Sequence, residues 1–302
     1  MARRASPARR EKWWGLGLLA PAFLVVTIFA FLPIADSIFL SLHRLILSLP
    51  QLGEPFVGLA NFRRLLADPA ALGSLVTTLI FVAVSTALEV LLGLAMALVL
   101  NRSFRGRGLA RAAVLVPWAI PTVVSSQMWR FIMNDQYGLW NYLLFGGHTA
   151  AYQAWLALPG WALAAIIAAD VWKTSSFAAL IILAGLQGIP DELYEAARLD
   201  GAGPWQSFWR ITLPLARPAI LLALLFRTMD AFRVFDLVYV MTQGGPANAT
   251  SVLQFYGYKK MFAEGFMGYG SAISVLVFAA VLLVALVYLR LLGRRMAEGE
   301  RT

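Results

Sequence analysis

The stretch "DELYEAARLDGAGPWQSFWRITLP", residues 191–214, interrupts a chain that is otherwise strongly apolar. It holds four acidic residues, two arginines, two glycines and two prolines. Asp191 and Glu192 place negative charge at the start of a helix, which the helix dipole favours. Gly201 supplies a stop for that helix, and the chain then restarts into "PWQSFWRI". The pattern predicts two short helices joined by a turn, the second of which ends before Pro214.

One face of the first short helix is small and apolar. Leu193, Ala196 and Ala197 fall on one side at helical spacing. The two alanines permit close approach by another surface, so this elbow is suited to docking. The periodicity alone favours an amphipathic elbow that packs on its own helices.

The composition indicates a membrane protein. Of 302 residues, 60% are hydrophobic and 14% are charged, whereas soluble domains have about 25% charged residues. The chain has no cysteine, which excludes disulfides, thiolate metal sites and a cysteine nucleophile. The only histidines, His43 and His148, are far apart in the sequence, which argues against a histidine metal cluster.

Six segments are long and apolar enough to span a bilayer, which takes about 20 residues per helix. The first is too long for the apolar core of a signal peptide and is expected to be retained. We predict an all-α membrane protein with a six-helix domain at 14–292, a coupling loop at 187–218, and tails at 1–13 and 293–302. The predicted helices are 14–41, 73–100, 112–132, 161–186, 219–241 and 269–292. Residues 58–69 predict a short outer helix with an apolar stripe of Leu59, Phe62, Leu65 and Leu66.

Basic residues are distributed unevenly between the two sides of the predicted bundle. Residues 1–13, 101–111, 187–218 and 290–302 together hold sixteen lysines and arginines, against five in the alternate connections. Cytoplasmic segments carry this excess in membrane proteins. We therefore expect a multi-pass membrane protein with both termini in the cytoplasm. This placement also accounts for the formal charge of +9 without nucleic acid.

The spacing within the elbow resembles a known signature. Glu195-Ala196-Ala197, three residues, Gly201, nine residues, Ile211, one residue and Leu213-Pro214 is similar to the EAA motif of ABC importer permeases. The resemblance implies the type I permease fold and a coupling helix that docks on a separate ATP-hydrolysing subunit. It assigns the coupling role to Glu195, Ala196, Ala197, Asp200, Gly201, Ile211 and Pro214.

A second stretch narrows the resemblance. "FDLVYVMTQGGPANAT", residues 235–250, looks like the outer turn of carbohydrate-uptake permeases of the maltose and glycerol-phosphate type. The similarity runs from about residue 14 to 292 and is greatest to the first of the two permease subunits, used for trehalose and maltose-like sugars. The chain lacks the extra N-terminal helices and inserted outer domain of the enterobacterial maltose subunit.

If the chain is an ABC importer permease, a separate subunit must hydrolyse ATP. A phosphate-binding Walker loop needs a lysine directly after a glycine, and none of the four lysines follows one. The chain is therefore expected to be no enzyme and to bind no cofactor or metal itself. The resemblance implies a second homologous permease, two ATP-binding subunits and an extracytoplasmic sugar-binding protein as partners, together with membrane lipid.

Charged residues inside two predicted helices mark a candidate substrate pathway. Ionisable groups within membrane helices are costly, so they tend to face a cavity or each other. The resemblance places Asp170, Thr174 and Phe177 on one wall, and Arg227, Asp230, Val234 and Asp236 on the facing one. Trp172 is an added aromatic candidate for a sugar ring, and Glu89 and Arg130 are weaker candidates.

Other interpretations of these residues stay open at this point. Arg227 with Asp230 and Arg233 with Asp236 have the spacing of structural ion pairs within one helix. A secondary transporter would use Asp170, Asp230 and Glu89 to relay protons or bind sodium, but no inverted repeat supports it. An ABC permease for amino acids, phosphate or glycerol phosphate is a closer alternative, and an intramembrane enzyme has little support.

Overall fold

The computed structural model describes the backbone of residues 7–299 and the side chains of residues 16–291. Residues 1–6 and 300–302, which belong to the two predicted tails, lie outside the described part. Within residues 7–299 the chain is helical and contains no β-strand, only two isolated bridges. The predicted all-α class is confirmed.

Fourteen α-helices follow one another along residues 7–299, with short π-helical turns at Thr27–Phe31, Phe208–Thr212 and Lys259–Ala263. The helices are α1 (Pro7–Val26), α2 (Leu32–Ser41), α3 (Ala60–Ala67), α4 (Pro69–Asn101), α5 (Arg107–Ala119), α6 (Thr122–Ile132), α7 (Leu139–Phe145), α8 (Pro159–Gln187), α9 (Asp191–Leu199), α10 (Pro204–Ser207), α11 (Leu213–Ala231), α12 (Asp236–Met241), α13 (Leu253–Tyr258) and α14 (Met267–Gly299).

The number of membrane spans agrees with the prediction of six. Five continuous helical segments are long and apolar enough to cross a bilayer, and the pair α5 and α6 forms a sixth span bent by 90°. The five are Leu16–Ser41, Pro69–Asn101, Pro159–Gln187, Pro204–Ala231 and Met267–Leu291.

The third span is not the straight helix that we predicted over 112–132. It breaks at Ile120, whose backbone is extended with φ −71° and ψ 131°. Pro121 follows directly, and a proline disfavours helical geometry in the residue before it. Pro121 also has no N–H to donate to the preceding turn. The proline therefore converts one expected helix into two that meet at a right angle.

The fifth span also differs from its predicted range of 219–241. It begins at Pro204, because the second elbow helix continues through Pro214 instead of ending before it. A π-helical turn at Phe208–Thr212 precedes that proline, and this wider turn accommodates the missing backbone donor. The span ends at Ala231, where Arg233 and Val234 close the last turn with hydrogen bonds to residues three positions earlier. The chain resumes as α12.

The described residues form two compact units. The first comprises the chain up to Leu65 together with Lys259–Leu276. In it, Asn61 donates to the carbonyls of Ser41 and His43, and the Arg64 guanidinium lies over the rings of Phe266 and Tyr269. The short helix predicted over 58–69 is present as α3. Its predicted apolar stripe is wrong, because Asn61 and Leu65 are its buried residues while Leu59 and Leu66 are exposed.

The second unit, Leu66–Tyr258 with Val277–Thr302, is built on packing among α4, α8 and α11. One apolar cluster contains Phe81, Ile166 and Val238, and another contains Ile182 and several alanines of α8 and α11. Small residues permit the close contact between helices, which drives association inside membranes. At Gly93 of α4, an added Cβ would lie 2.8 Å from the Cβ of Ala178 on α8.

We predict from this contact that one added methyl group destabilises the protein at Gly93 but not at Gly73. Gly93→Ala should reduce stability by about 1–3 kcal/mol, because the added carbon overpacks the α4–α8 contact. Gly73→Ala is the matched control in the same helix, since a Cβ added there would have nothing within 4 Å. Both variants share the higher helix propensity of alanine, so their difference isolates the packing effect. Thermal unfolding in detergent measures both, and equal melting temperatures would contradict the predicted contact.

Candidate functional site

A cavity of about 600 Å³ lies among α8, the end of α11, the start of α12 and the break between α5 and α6. Its volume is in the range of small-molecule pockets, about 300–1,000 Å³. Charged side chains of both signs reach it, which is uncommon for residues within membrane helices. They are Asp170, Lys173, Arg227, Asp230, Arg233 and Asp236.

The buried Arg227 guanidinium holds this site together. Its Nε donates to Oε2 of Glu89 on α4 at 2.6 Å, and its Nη1 lies 3.3 Å from Oδ2 of Asp230. Its Nη2 lies 3.8 Å from Oδ2 of Asp170 on α8. Glu89 is fully buried, and the side chains of Arg227 and Asp170 are nearly so. One cation therefore connects three helices.

The carboxylates of this cluster keep unused acceptor capacity. Among the described residues, neither Oε1 of Glu89 nor Oδ2 of Asp170 has a hydrogen-bond partner, although both atoms are buried. Three carboxylates surround one guanidinium here, and a carboxylate oxygen accepts hydrogen bonds from hydroxyl groups. Asp170 and Asp230 line the cavity, whereas Glu89 supports Arg227 from behind.

The cavity rim carries a second, more exposed ion pair. Nη2 of Arg233 lies 2.8 Å from Oδ1 of Asp230, and both side chains are about half exposed. The alternative pair that the spacing allowed, Arg233 with Asp236, is not among the salt bridges of the described residues. The helix ends at Ala231, so Asp236 falls in the first turn of α12, away from the spacing that a continuous helix would give.

The break in the third span forms another wall, from Trp118 to Thr122. Lys173 of α8 is buried, and its Nζ donates to the carbonyl oxygens of Trp118 and Ile120. Sequence reasoning did not place this wall in the site. The signal that would have found it is the pair Pro117 and Pro121 within one predicted span.

Six of the eight predicted pathway residues line this one cavity: Asp170, Thr174, Arg227, Asp230, Val234 and Asp236. Trp172 lies instead beside a separate apolar cavity and packs on Trp129, because it is about 200° around the helix from Asp170. Phe177 stacks on Trp118 with ring centroids 5.6 Å apart. Arg130 donates to the carbonyl of Val240. The assignment of the six to sugar contact stays a prediction.

The elbow between α8 and α11 presents an apolar surface to its surroundings. Leu199 is 90% exposed and Trp205 is 73% exposed, and Ala196 is exposed beside Glu195. On the opposite side, the hydroxyl of Tyr194 lies 3.0 Å from Oγ1 of Thr212 and fixes α9 to the following helix.

The remaining residues of the predicted coupling set occupy different parts of this elbow. Ala197 is half-buried, so it does not share the exposed face of Leu193 and Ala196 as we expected. Asp200 ends α9, and Gly201 follows with φ +81°, a conformation that glycine adopts without strain. Ile211 and Pro214 are half-buried in the continuous helix. The coupling role of the set stays a prediction.

We predict that loss of the buried Arg227–Glu89 pair lowers the free energy of unfolding far more than loss of the exposed Arg233–Asp230 pair. Glu89→Ala should lower the free energy of unfolding by about 3–5 kcal/mol, because it leaves a buried guanidinium without its nearest carboxylate. Arg233→Ala removes an exposed pair and should cost no more than about 1 kcal/mol. The double variant Glu89→Leu with Arg227→Met should recover much of the lost stability. Unfolding curves in the same detergent test the series, and equal effects of the two single variants would contradict it.

Comparison with known proteins identifies the family. A model of the family described as "binding-protein-dependent transport system inner membrane component" matches residues 89–298. The chain is 44% identical over 281 residues to the trehalose/maltose transport system permease protein MalF of Thermococcus litoralis, a match that covers 93% of this chain and 94% of that protein. It is 40% identical to the trehalose transport system permease protein SugA of Mycobacterium tuberculosis, with 98% and 94% covered.

A solved structure gives the fold. The chain superposes with a TM-score of 0.80 on a bacterial ABC transporter involved in the import of the acidic polysaccharide alginate, at 22% identity, over 94% of this chain and 96% of that one. The helical membrane fold of this chain is thus a known one. The chain belongs to the family of binding-protein-dependent transport system inner membrane components and has the fold of an ABC importer permease.

Proposed function

We propose that this chain is the membrane-spanning permease subunit of an ATP-driven ABC importer that carries a sugar, with a trehalose- or maltose-like disaccharide as the first candidate. The observation that carries the proposal is the cavity around Arg227, where charged acceptors and donors converge within the membrane spans. The printed functions of relatives at 44% and 40% identity, trehalose/maltose and trehalose transport, support the choice of sugar.

The cavity has the chemistry that sugar recognition requires. Asp170 and Asp230 accept hydrogen bonds from hydroxyl groups, and Arg233 donates them. Trp118 and Phe235 also line the cavity and offer ring faces to the apolar side of a sugar. Its size of about 600 Å³ accommodates a small oligosaccharide.

Alternating access is the proposed mechanism. The exposed elbow docks on an ATP-hydrolysing subunit, and its movement is transmitted to the cavity. The structural basis is the continuous helical segment Pro204–Ala231, which begins in the elbow and ends at Arg227 and Asp230. Its 28 residues span about 42 Å at 1.5 Å per residue. A rigid segment of this length couples a displacement at one end to the other.

The partners follow from the same proposal. Binding-protein-dependent systems deliver their solute through a separate binding protein, so we infer an extracytoplasmic sugar-binding protein, a second permease and two subunits that bind ATP and magnesium. The excess of basic residues in the tails and in 101–111 and 187–218 supports a cytoplasmic location for these segments and both termini in a bacterial or archaeal cell. The elbow then faces the ATP-binding subunits.

Uptake by the assembled transporter tests this function. Proteoliposomes that contain the full complex should accumulate labelled trehalose or maltose when ATP is supplied on the cytoplasmic side, and should continue to do so when a protonophore removes the proton gradient. Asp230→Asn should raise the KM for that sugar by about tenfold, the worth of one lost hydrogen bond to a charged group. Uptake that collapses with the proton gradient and ignores ATP would favour an ion-coupled transporter. Uptake of glycerol phosphate alone would exclude the sugar.

The exposed elbow yields a separate prediction. Leu199→Asp should reduce ATP-dependent uptake by about tenfold or more, because it places a charge in an apolar contact that covers this side chain. The folded chain should keep its melting temperature, since Leu199 is almost fully exposed. Leu52→Asp is the control, an exposed leucine in the connection between the first two spans. Co-purification of the ATP-binding subunit should fall for Leu199→Asp only, and equal recovery would remove the docking role of this surface.

A further inference from the structure

Lys173 has an unusual arrangement for a lysine within a membrane span. It lies in the middle of α8 and is 8% exposed, and no salt bridge is formed by it among residues 16–291. Its ammonium group is instead directed at two backbone carbonyls, those of Trp118 and Ile120, in the break of the third span. A buried ammonium is retained at this cost only where it satisfies other buried groups.

The break creates the need for this donor. The carbonyl groups in the last turn of a helix have no partner within the helix, and α5 ends at Ala119. Pro121 has no N–H, so the next turn does not supply one. Irregular backbone persists at membrane depth only where other protein groups or a cavity satisfy its polar atoms. Lys173 supplies the two missing hydrogen bonds and places positive charge at the carbonyl end of α5, which the helix dipole favours.

Phe177, which is also on α8, makes a second contact with Trp118. Phe177 stands four residues after Lys173, on the same face of α8. Its ring stacks on Trp118 with an interplanar angle of 15°. Trp118 is therefore held through its carbonyl by Lys173 and through its ring by Phe177.

The held segment is a wall of the candidate site. Trp118 to Thr122 line the same cavity as Asp230 and Val234. We propose that Lys173 is a positioning residue that fixes the broken third span as this wall, with Phe177 as its support, and so sets the width of the cavity for the sugar. This inference rests on the proposed function only where it concerns the sugar. The position of the wall is testable without any substrate.

Cysteine accessibility measures the wall directly, because the chain has no cysteine of its own. In the assembled transporter in nanodiscs, Thr122→Cys should react with a hydrophilic methanethiosulfonate about fivefold faster when Lys173→Met is added, since the freed segment samples open positions. Lys173→Arg keeps charge and donors and should stay within about twofold of the parent rate. Val234→Cys, elsewhere in the cavity lining, should change less than about twofold in either background.

These rates decide between positioning and a merely structural role. Equal acceleration at Thr122 and Val234 would mean general loosening of the bundle and would overturn the proposal, as would an unchanged rate at Thr122. If the transporter with Lys173→Met does not assemble, Phe177→Leu combined with Thr122→Cys tests the same proposal. It keeps the lysine and should still accelerate labelling at Thr122 by about twofold to threefold, through loss of one ring contact. Lys259→Met, at an exposed lysine, controls for the loss of a positive charge.

Transport kinetics test the consequence for the sugar. With trehalose as the probe, Lys173→Met should raise KM by about tenfold and leave the maximal rate within about twofold, because the cavity is altered while coupling is not. Lys173→Arg should restore KM to within about threefold. A lowered maximal rate with unchanged KM would overturn the specificity role. Absence of trehalose transport in the unmodified complex would instead count against the proposed sugar. The labelling rates would still test whether Lys173 positions the segment from Trp118 to Thr122.

Discussion

The contact between Arg227 and Glu89 is the interaction on which the arrangement of the second unit depends. Inside a membrane, apolar side chains give little preference for one helix register over another, because lipid is as apolar as the helices. A buried guanidinium is different, since leaving it unpaired costs several kcal/mol. Arg227 satisfies this requirement only when α4, α8 and α11 bring Glu89, Asp170 and Asp230 to it together. The close contact at Gly93 then adds packing to a register that the charges specify.

The same helix that carries Arg227 also begins in the elbow. Because Pro204–Ala231 is continuous, the exposed Trp205 and the charge cluster lie near the two ends of one helical segment. The π-helical turn at Phe208–Thr212 is the local adjustment that accommodates Pro214 in this segment.

Sequence patterns predicted the apolar spans and the elbow, because each depends on local composition, and the family resemblance added six of the sixteen residues that line the cavity. Long apolar runs specify spans, and charges such as Asp170 and Asp230 stand out against them. The errors in the third and fifth spans both concern prolines. We expected Pro214 to end a helix and left Pro121 inside one, whereas Pro121 breaks a span and Pro214 follows a π-helical turn in a continuous one. The importance of Glu89 depended on a partner 138 residues away, which no local pattern indicates.

The broken third span shows why the pathway and the structural residues cannot be separated by residue type. Lys173 is a cation in the cavity lining, yet its donors are used by the backbone of Trp118 and Ile120. Asp230 resembles a structural ion-pair partner, yet it is half exposed at the cavity rim and holds Arg233 there. The nearly inaccessible Arg227 and Lys173 maintain the shape of the cavity, whereas Asp230 and Arg233 are about half exposed at its rim. A pocket for an uncharged, hydroxyl-rich solute needs both, because its recognition depends on fixed acceptors and donors at set distances.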